Sequence, residues 1–473
     1  MPTQQPKVTA IKASYVAVPE NGSQTIVRDK TVIVAGDRIE RICDHYDGNL
    51  DVVIEAKGRL LSPGFINAHV HVGAATYVRG LCEDQDLMPG SAFYHYVVPL
   101  ILLASQNFTL DEFSAVVEWD ILEMVKTGST TILEENFDHY EVLIGVIERL
   151  GNRAYVSPTY PSGHTTIGFV KDGKLQYEKP KAGAVEAGLQ RNIELHNRFN
   201  GAADDRIRVR LSPTGPDTCP PEVLRATRET ADRLGCGISI HAAHHAREID
   251  FCRSAFGCSP IAHLRNTGIL GPDAVVTHVT FTDASDQQLL AESKASVAHC
   301  SYRKAREAVI GPFHEYLRKG INVALGTDSY SSDITETIKT AAVLGKIREG
   351  RVGAPTALDA FNAATLGGAL ALGRDDIGQI KPGAKADLVL IDLSRPHNFP
   401  VIDPLKNFVY YSSGADVETV IVDGKIVVRN GQALTTNEDE LRERVQAATQ
   451  RIWAIADRQG VMPGLRLATT VLE

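Results

Sequence analysis

Short apolar runs rich in valine, isoleucine and alanine recur through the middle of the chain, and stretches of helical spacing separate them. The runs Leu60–Ile66, Ser129–Leu133, Arg153–Val156, Ile207–Leu211, Gly237–Ile240, Ala274–Thr277, Ala295–Ala298 and Asn322–Leu325 read as buried strands. Between the first two, Leu110 to Lys126 has helical apolar spacing, with Thr109 as N-cap and Gly128 past the end. Alternating strands and helices are the pattern of an α/β protein with a parallel sheet. Eight such units predict a (β/α)8 TIM barrel, whose site lies at the carboxyl ends of its strands.

Both ends of the chain have a different texture. Thr31-Val32-Ile33-Val34 and Val52-Val53-Ile54 are β-branched runs, with turn signals at Gly36-Asp37 and Asp47-Gly48. Late in the chain, Ala386 to Asp392 reads as a strand, and Val417–Val422, Asp423-Gly424, Lys425–Val428 as a hairpin. Neither half alone has enough apolar surface to bury, so the two are expected to form one small β-sandwich. The predicted division is residues 1–59 and 383–435 for the sandwich, 60–382 for the barrel, and 436–473 for a helical tail. Phe169 to Tyr177, with Asp172-Gly173 at its centre, reads as an excursion or lid after the third strand.

Composition narrows the function. A net charge of -9 and the lack of a long Lys/Arg run argue against nucleic acid as a partner. The polar start and the lack of a membrane-length apolar run predict a cytoplasmic protein with no membrane partner. Seven scattered cysteines, an odd number without a CxxC pair, fit a reducing compartment. A small-molecule substrate and a homo-oligomer are expected.

The chemistry stands at the strand ends. His69 and His71 are two residues apart and share a face. Later strands end in Ile240-His241, Thr277-His278 and Ala298-His299, and the last in Gly326-Thr327-Asp328. Lone histidines of this kind are often hydrogen-bonded core residues. Five of the chain's 15 and one aspartate at the carboxyl ends of five predicted strands point to a metal centre. Imidazoles with a carboxylate suit one divalent ion: Zn²⁺ above all, Fe²⁺ or Co²⁺ as alternatives. Such an ion makes hydroxide available near neutral pH. Asp328 can touch the metal and take the water's proton, and His278 can orient the water or polarise the group attacked.

Pro63-Gly64-Phe65-Ile66-Asn67-Ala68-His69-Val70-His71, His241, His278 and Gly326-Thr327-Asp328 resemble the motifs of the amidohydrolase superfamily. Ala384 to Leu390 and Val420-Ile421-Val422-Asp423-Gly424 match its late β-domain phrases, and Arg79-Gly80-Leu81 is similar to the atrazine chlorohydrolase and cytosine deaminase branch. The resemblance covers about Lys7 to Gly431. It implies metal ligation by His69, His71, His241 and Asp328, with His278 orienting water or ligating. No lysine stands at the end of strand four, at Leu211-Ser212-Pro213-Thr214, so a single metal is expected over a lysine-bridged pair.

Two departures bear on the reaction. Ring deaminases of this branch carry His-x-x-Glu after strand five, whereas here His241-Ala242-Ala243-His244-His245 places His244 at the glutamate position. The segment after strand seven is Ser301-Tyr302-Arg303-Lys304-Ala305-Arg306, where the family usually has a Ser-Asn pair. His244 is then the expected proton donor to the leaving amine. Arg79 and His299 are candidate substrate contacts; the plainer readings are a salt bridge and a buried histidine. His245, His95 and His164 read as loop residues, and Arg303, Lys304 and Arg306 as a solvated helix face that could steer an anion. One of Glu134 and Glu135 is expected to reach the pocket. The leading expectation is hydrolysis of a C–N bond in an amide, urea, carbamate or N-heterocycle. Deamination or dechlorination of an aminated pyrimidine or s-triazine ring is second. A non-catalytic scaffold is third, and the intact histidine set weighs against it.

Overall fold

A computed structural model describes residues 7–81, 83–85, 93–135, 139–160, 169–171, 174–176, 183–462 and 464–465. The chain opens with β1 (Val8–Glu20), β2 (Ser23–Ala35), β3 (Arg38–Cys43) and β4 (Val52–Pro63). β1 and β2 form an antiparallel hairpin closed by Asn21-Gly22, both with positive φ, the pairing that matches strand twist. β4 returns to lie parallel to β1.

Eight parallel strands follow: β5 (Phe65–Val70), β6 (Ser129–Glu134), β7 (Arg153–Val156), β8 (Ile207–Val209), β9 (Ile238–Ala242), β10 (Ala274–His278), β11 (Ser296–His299) and β12 (Val323–Leu325). They make two four-stranded sheets, β5 to β8 and β9 to β12. Single bridges join the sheets at both sides, Leu211 to Ile238 and Val70 to Asp328. The arrangement is of the TIM-barrel type. Ile66, Ala68, Leu133, Tyr155, Val275, Ala298 and Ala324 form one buried cluster with Ala369, Ala371, Leu372 and Ile377. Leu110–Lys126 is a helix, and Thr109 caps it with Glu112 in a reciprocal capping box.

One expected strand is two. The run read as Leu60–Ile66 breaks at Gly64, where the chain passes from one sheet to another. Leu60 to Pro63 pair with the late strand at residues 388–391, whereas the Phe65 N–H already donates to the Gly128 carbonyl beside β6. A Cβ at Gly64 would lie 2.0 Å from the Thr130 hydroxyl, so the crossing needs glycine.

The late strands are β13 (Leu388–Asp392), β14 (Val417–Val422), β15 (Lys425–Arg429) and β16 (Gln432–Ala433). The two chain ends share structure, as expected, but their hydrogen bonds make one eight-stranded sheet, β16-β15-β14-β13-β4-β1-β2-β3. The β4–β13 ladder that unites the halves makes the sheet continuous, so no two-sheet sandwich is seen in the pairing. The final helix, Glu438–Arg458, packs Leu441 and Val445 on Ala115 and Leu122 of the Leu110–Lys126 helix. Phe169–Lys171 and Lys174–Gln176 pair antiparallel after β7; Asp172, Gly173 and His164 lie outside the described residues. Among the described residues no helix is long and apolar enough to cross a membrane.

Candidate active site

The carboxyl ends of three strands, β5, β9 and β10, bring five imidazoles together. His69 closes β5 and lies 4.7 Å from His71, 4.9 Å from His241 and 5.4 Å from His278, ring centre to ring centre. His71 and His241 stack at 5.4 Å, and His244 stacks on His278 at 5.7 Å. Asp328, three residues past β12, reaches three of them. Its Oδ1 is 3.7 Å from His71 Nε2 and 3.9 Å from His69 Nε2, and its Oδ2 is 3.6 Å from His278 Nε2. The expected set of His69, His71, His241, His278, His244 and Asp328 is thus one cluster.

The local backbone is built for this convergence. β12 approaches β5 so closely that a Cβ at Gly326 would meet His69 Cβ at 2.8 Å, and the Asp328 N–H donates to the His69 carbonyl at 2.9 Å. Ala243, His278, Val279, Asp328 and Tyr330 all have positive φ. A left-handed valine is costly, and such residues gather where the surroundings fix them for a purpose.

Glu135 sets the imidazoles beneath. Its Oε1 faces His69 Nδ1 at 3.3 Å, its Oε2 lies 3.5 Å from His241 Nδ1, and its carbonyl accepts from His71 Nδ1. His241 Nδ1 donates to the Thr214 carbonyl at 3.1 Å. An Nδ1–H given to a carbonyl leaves the lone pair on Nε2, the arrangement of a metal-ligating histidine. Burial opposes ionisation of Glu135, but His69 and His241 hold its carboxyl down to about 2. Burial works against the proton on His69, yet Glu135 raises its affinity, making Nε2 a stronger donor.

These groups fit a metal ion. His69 Nε2 is fully buried and has no hydrogen-bond partner, a costly state unless an ion takes the lone pair. Ligand atoms of His69, His71 and His241 lie within 4.8 Å of one another, and so do those of His69, Cys300 and Asp328. Burial pushes the Cys300 thiol well above its usual range, so the carboxylate is the better ligand of that second trio. Burial works against ionisation of Asp328 too; Arg303, His69 and His71 outweigh it and keep the carboxyl below its usual range.

Not every expected contact joins. Arg79 forms an ion pair with Glu123, and its side chain is 42% exposed. His299 is buried beside Phe313, its ring against Gly311, without a ring contact to the cluster. Both were expected to touch substrate, and their contacts are those of a salt bridge and a buried imidazole. His245 caps the helix Ala246–Phe256, and His95 lies in the helical turn Phe93–Val97, not a loop. The basic doublet is the clearest correction. Arg303 and Lys304 are buried, because the short helix Ser301–Ala305 turns them inward from the end of β11. Arg303 Nε lies 3.3 Å from Asp328 Oδ2, and its guanidinium stacks on Tyr330. Glu248, unremarked in the sequence, accepts the Ala243 and His244 N–H groups at 2.8 and 2.9 Å and holds that turn.

The amidohydrolase family model matches residues 60–427, from the end of β4 into β15. The chain belongs to the amidohydrolase family. Like its family, it is a hydrolase of C–N bonds. This amidohydrolase is 31% identical over 454 residues to a 5'-deoxyadenosine deaminase of Methanosarcina acetivorans, covering 94% of this chain and 99% of that one. It is 32% identical over 404 residues to a 5-methylthioadenosine/S-adenosylhomocysteine deaminase of Pelotomaculum thermopropionicum, covering 84% and 87%. Among solved structures, an adenosine deaminase from Xanthomonas campestris with bound zinc superposes with a TM-score of 0.83 at 26% identity, covering 96% and 100%. An atrazine chlorohydrolase from Arthrobacter aurescens with zinc also scores 0.83, at 20% identity, covering 93% and 100%, which speaks to fold alone.

Proposed function

We propose that this amidohydrolase removes an exocyclic amino group from an aminated N-heterocycle, an adenine-type ring in the first instance, using one zinc ion held by His69, His71, His241 and Asp328. The observation that carries the reading is the gathering of the His69, His71 and His241 imidazoles, with Asp328 Oδ1 3.9 Å from His69 Nε2, an atom without a hydrogen bond. The reaction adds one water at the ring carbon, breaks the C–N bond and releases ammonia. The order of expectations changes here. His244 in place of glutamate put amides, ureas and carbamates first; deaminase-named relatives matching most of the chain put the ring aminohydrolase first.

Bound zinc supplies a Lewis acid that brings a water's pKa to about 7. The chain's own groups handle the protons. Asp328, kept ionised by Arg303 and the histidines around it, accepts one at Oδ2. His278 Nε2, 3.6 Å from that oxygen, orients the same water. His244 stands beside His278 and gives a proton to the departing nitrogen. Burial, then the charge of Lys304, lowers the proton affinity of His244, so the neutral ring acts as a relay, taking a proton released by the attacking water at one nitrogen as it gives one from the other.

The second reading, an open-chain amide, urea or carbamate, keeps one specific support: His244 lacks the carboxyl expected of a ring proton donor. The test is a substrate panel on the zinc-loaded protein. Ammonia from aminopurine nucleosides, aminopyrimidines or aminotriazines is the expected result. Amine release from anilides or ureas, with no ammonia from any ring, reverses the order.

A further inference from the structure

Where β12 meets β5, the carboxylate of the site meets its histidines. Every buried N–H at that seam needs an acceptor. The Gly326 N–H turns to the His299 carbonyl of β11 at 3.2 Å. The next two N–H groups both turn the other way, toward β5, a break in strand alternation that goes with the left-handed φ of Asp328, 63°. The Asp328 N–H takes the His69 carbonyl at 2.9 Å, as part of the single bridge from Val70 to Asp328. The Thr327 N–H is left to a side chain. It donates to Asn67 Oδ1 at 2.9 Å, and Asn67 Nδ2 donates back to Thr327 Oγ1 at 2.9 Å. Both residues are buried, and 260 positions separate them in sequence. A primary amide carries a donor and an acceptor side by side, so one asparagine serves as a short piece of strand edge.

The opposite seam is closed by main chain alone. There the Leu211 N–H donates to the Gly237 carbonyl at 3.1 Å, and the Ser239 N–H to the Leu211 carbonyl at 2.9 Å. The side-chain pair stands instead between two of the groups that fit the ion. Asn67 precedes His69 by two residues and shares its face of β5, and Thr327 immediately precedes Asp328. Gly326 is pressed against His69 with no room for a Cβ. Any slip of β12 along β5 therefore changes the distance from Asp328 Oδ1 to His69 Nε2, which is 3.9 Å. A site keeps its function only while its groups are held to within about 0.5 Å.

We propose that Asn67 and Thr327 are positioning residues of the metal site: their paired hydrogen bonds set the separation of the His69 imidazole and the Asp328 carboxylate, and with it the affinity for the ion. This rests on the one-zinc reading and adds to it two residues outside the ligand set.

The experiment is zinc competition against a chelator on the full chain, with the visible absorption of the cobalt-loaded protein as a record of ligand geometry. Asn67→Leu, which keeps the branched shape and loses both polar atoms, should weaken zinc binding about tenfold or more and change the cobalt spectrum. Thr327→Val, which removes only the hydroxyl, should do the same to a lesser degree. Thr327→Ser, which keeps the hydroxyl, should match the wild type. Thr109→Ala loses a helix cap far from the seam and should keep wild-type zinc affinity and spectrum, which separates positioning from a general loss of stability. Should Asn67→Leu fold poorly, the two Thr327 variants decide. One zinc in the wild type, with affinity and cobalt spectrum unchanged in Asn67→Leu and Thr327→Val, overturns the positioning role alone. Thr327→Ser as impaired as Thr327→Val overturns it too. A wild type without stoichiometric zinc defeats the metal reading and this role with it.

Discussion

This molecule buries charge in two places and treats it in opposite ways. Where β7 meets the late strands, Arg153 is fully buried and fully engaged. It donates to Asp387 at 3.0 and 3.2 Å, to Asp423 at 2.6 Å and to the Asp205 carbonyl at 3.3 Å. Lys385 adds contacts to Asp423 and Asp37. Burial disfavours the Arg153 charge, yet Asp387 and Asp423 more than offset it and raise its pKa. At the strand ends the partners fall short. His69 Nε2 and His278 Nδ1 lack hydrogen bonds, and burial wins over the neighbours of Lys304, lowering its pKa. The first network pins the barrel-type body to the terminal sheet. The second leaves buried polar atoms without partners, in a donor set that fits a metal ion. A satisfied buried charge marks structure, and an unsatisfied one marks a site.

Substitutions can break this contrast, from the largest effect down. His69→Ala should remove bound zinc and ammonia release together while the protein still unfolds cooperatively; elemental analysis and a thermal melt check this. Arg153→Met should do the reverse. It strands Asp387 without its counter-charge and leaves Asp423 only Lys385, at about 3–5 kcal/mol in denaturant unfolding, while zinc per folded molecule is unchanged. His244→Ala should lower kcat by about 10²-fold and keep its zinc, since the ring is placed to move a proton. Unchanged turnover would remove His244 from the mechanism. Glu135→Gln should weaken zinc binding by about 10–100-fold in competition with a chelator, because its carboxylate faces Nδ1 of two ligand rings, His69 and His241. Thr109→Ala, remote from both networks, should cost about 1 kcal/mol from the lost helix cap and leave activity alone.

Much of this was legible in the chain itself. Apolar, β-branched runs ending in histidine mark strands whose last side chains face a common axis; that pattern singles out His69, His71, His241, His278, His299 and Asp328, and the choice of ligands among them came from the resemblance to the amidohydrolase superfamily. What tertiary contacts decide stayed hidden. The break at Gly64 depends on Thr130 and on the late strand, both far away in sequence. Glu134 and Glu135 are equivalent in sequence. Strand alternation puts Glu135 on the face of Leu133, but only the structure shows that Leu133 faces inward. Arg303 and Lys304 read as solvated because charged doublets usually are. A five-residue helix after β11 turns them inward, and no periodicity is long enough there to reveal it.

The most direct test is metal stoichiometry. The full chain, loaded with zinc and dialysed against metal-free buffer, should retain one equivalent, falling to near zero in His69→Ala, His71→Ala and His241→Ala. A wild type without stoichiometric zinc, or a His69→Ala protein that keeps it, would contradict the claim that these imidazoles hold the ion.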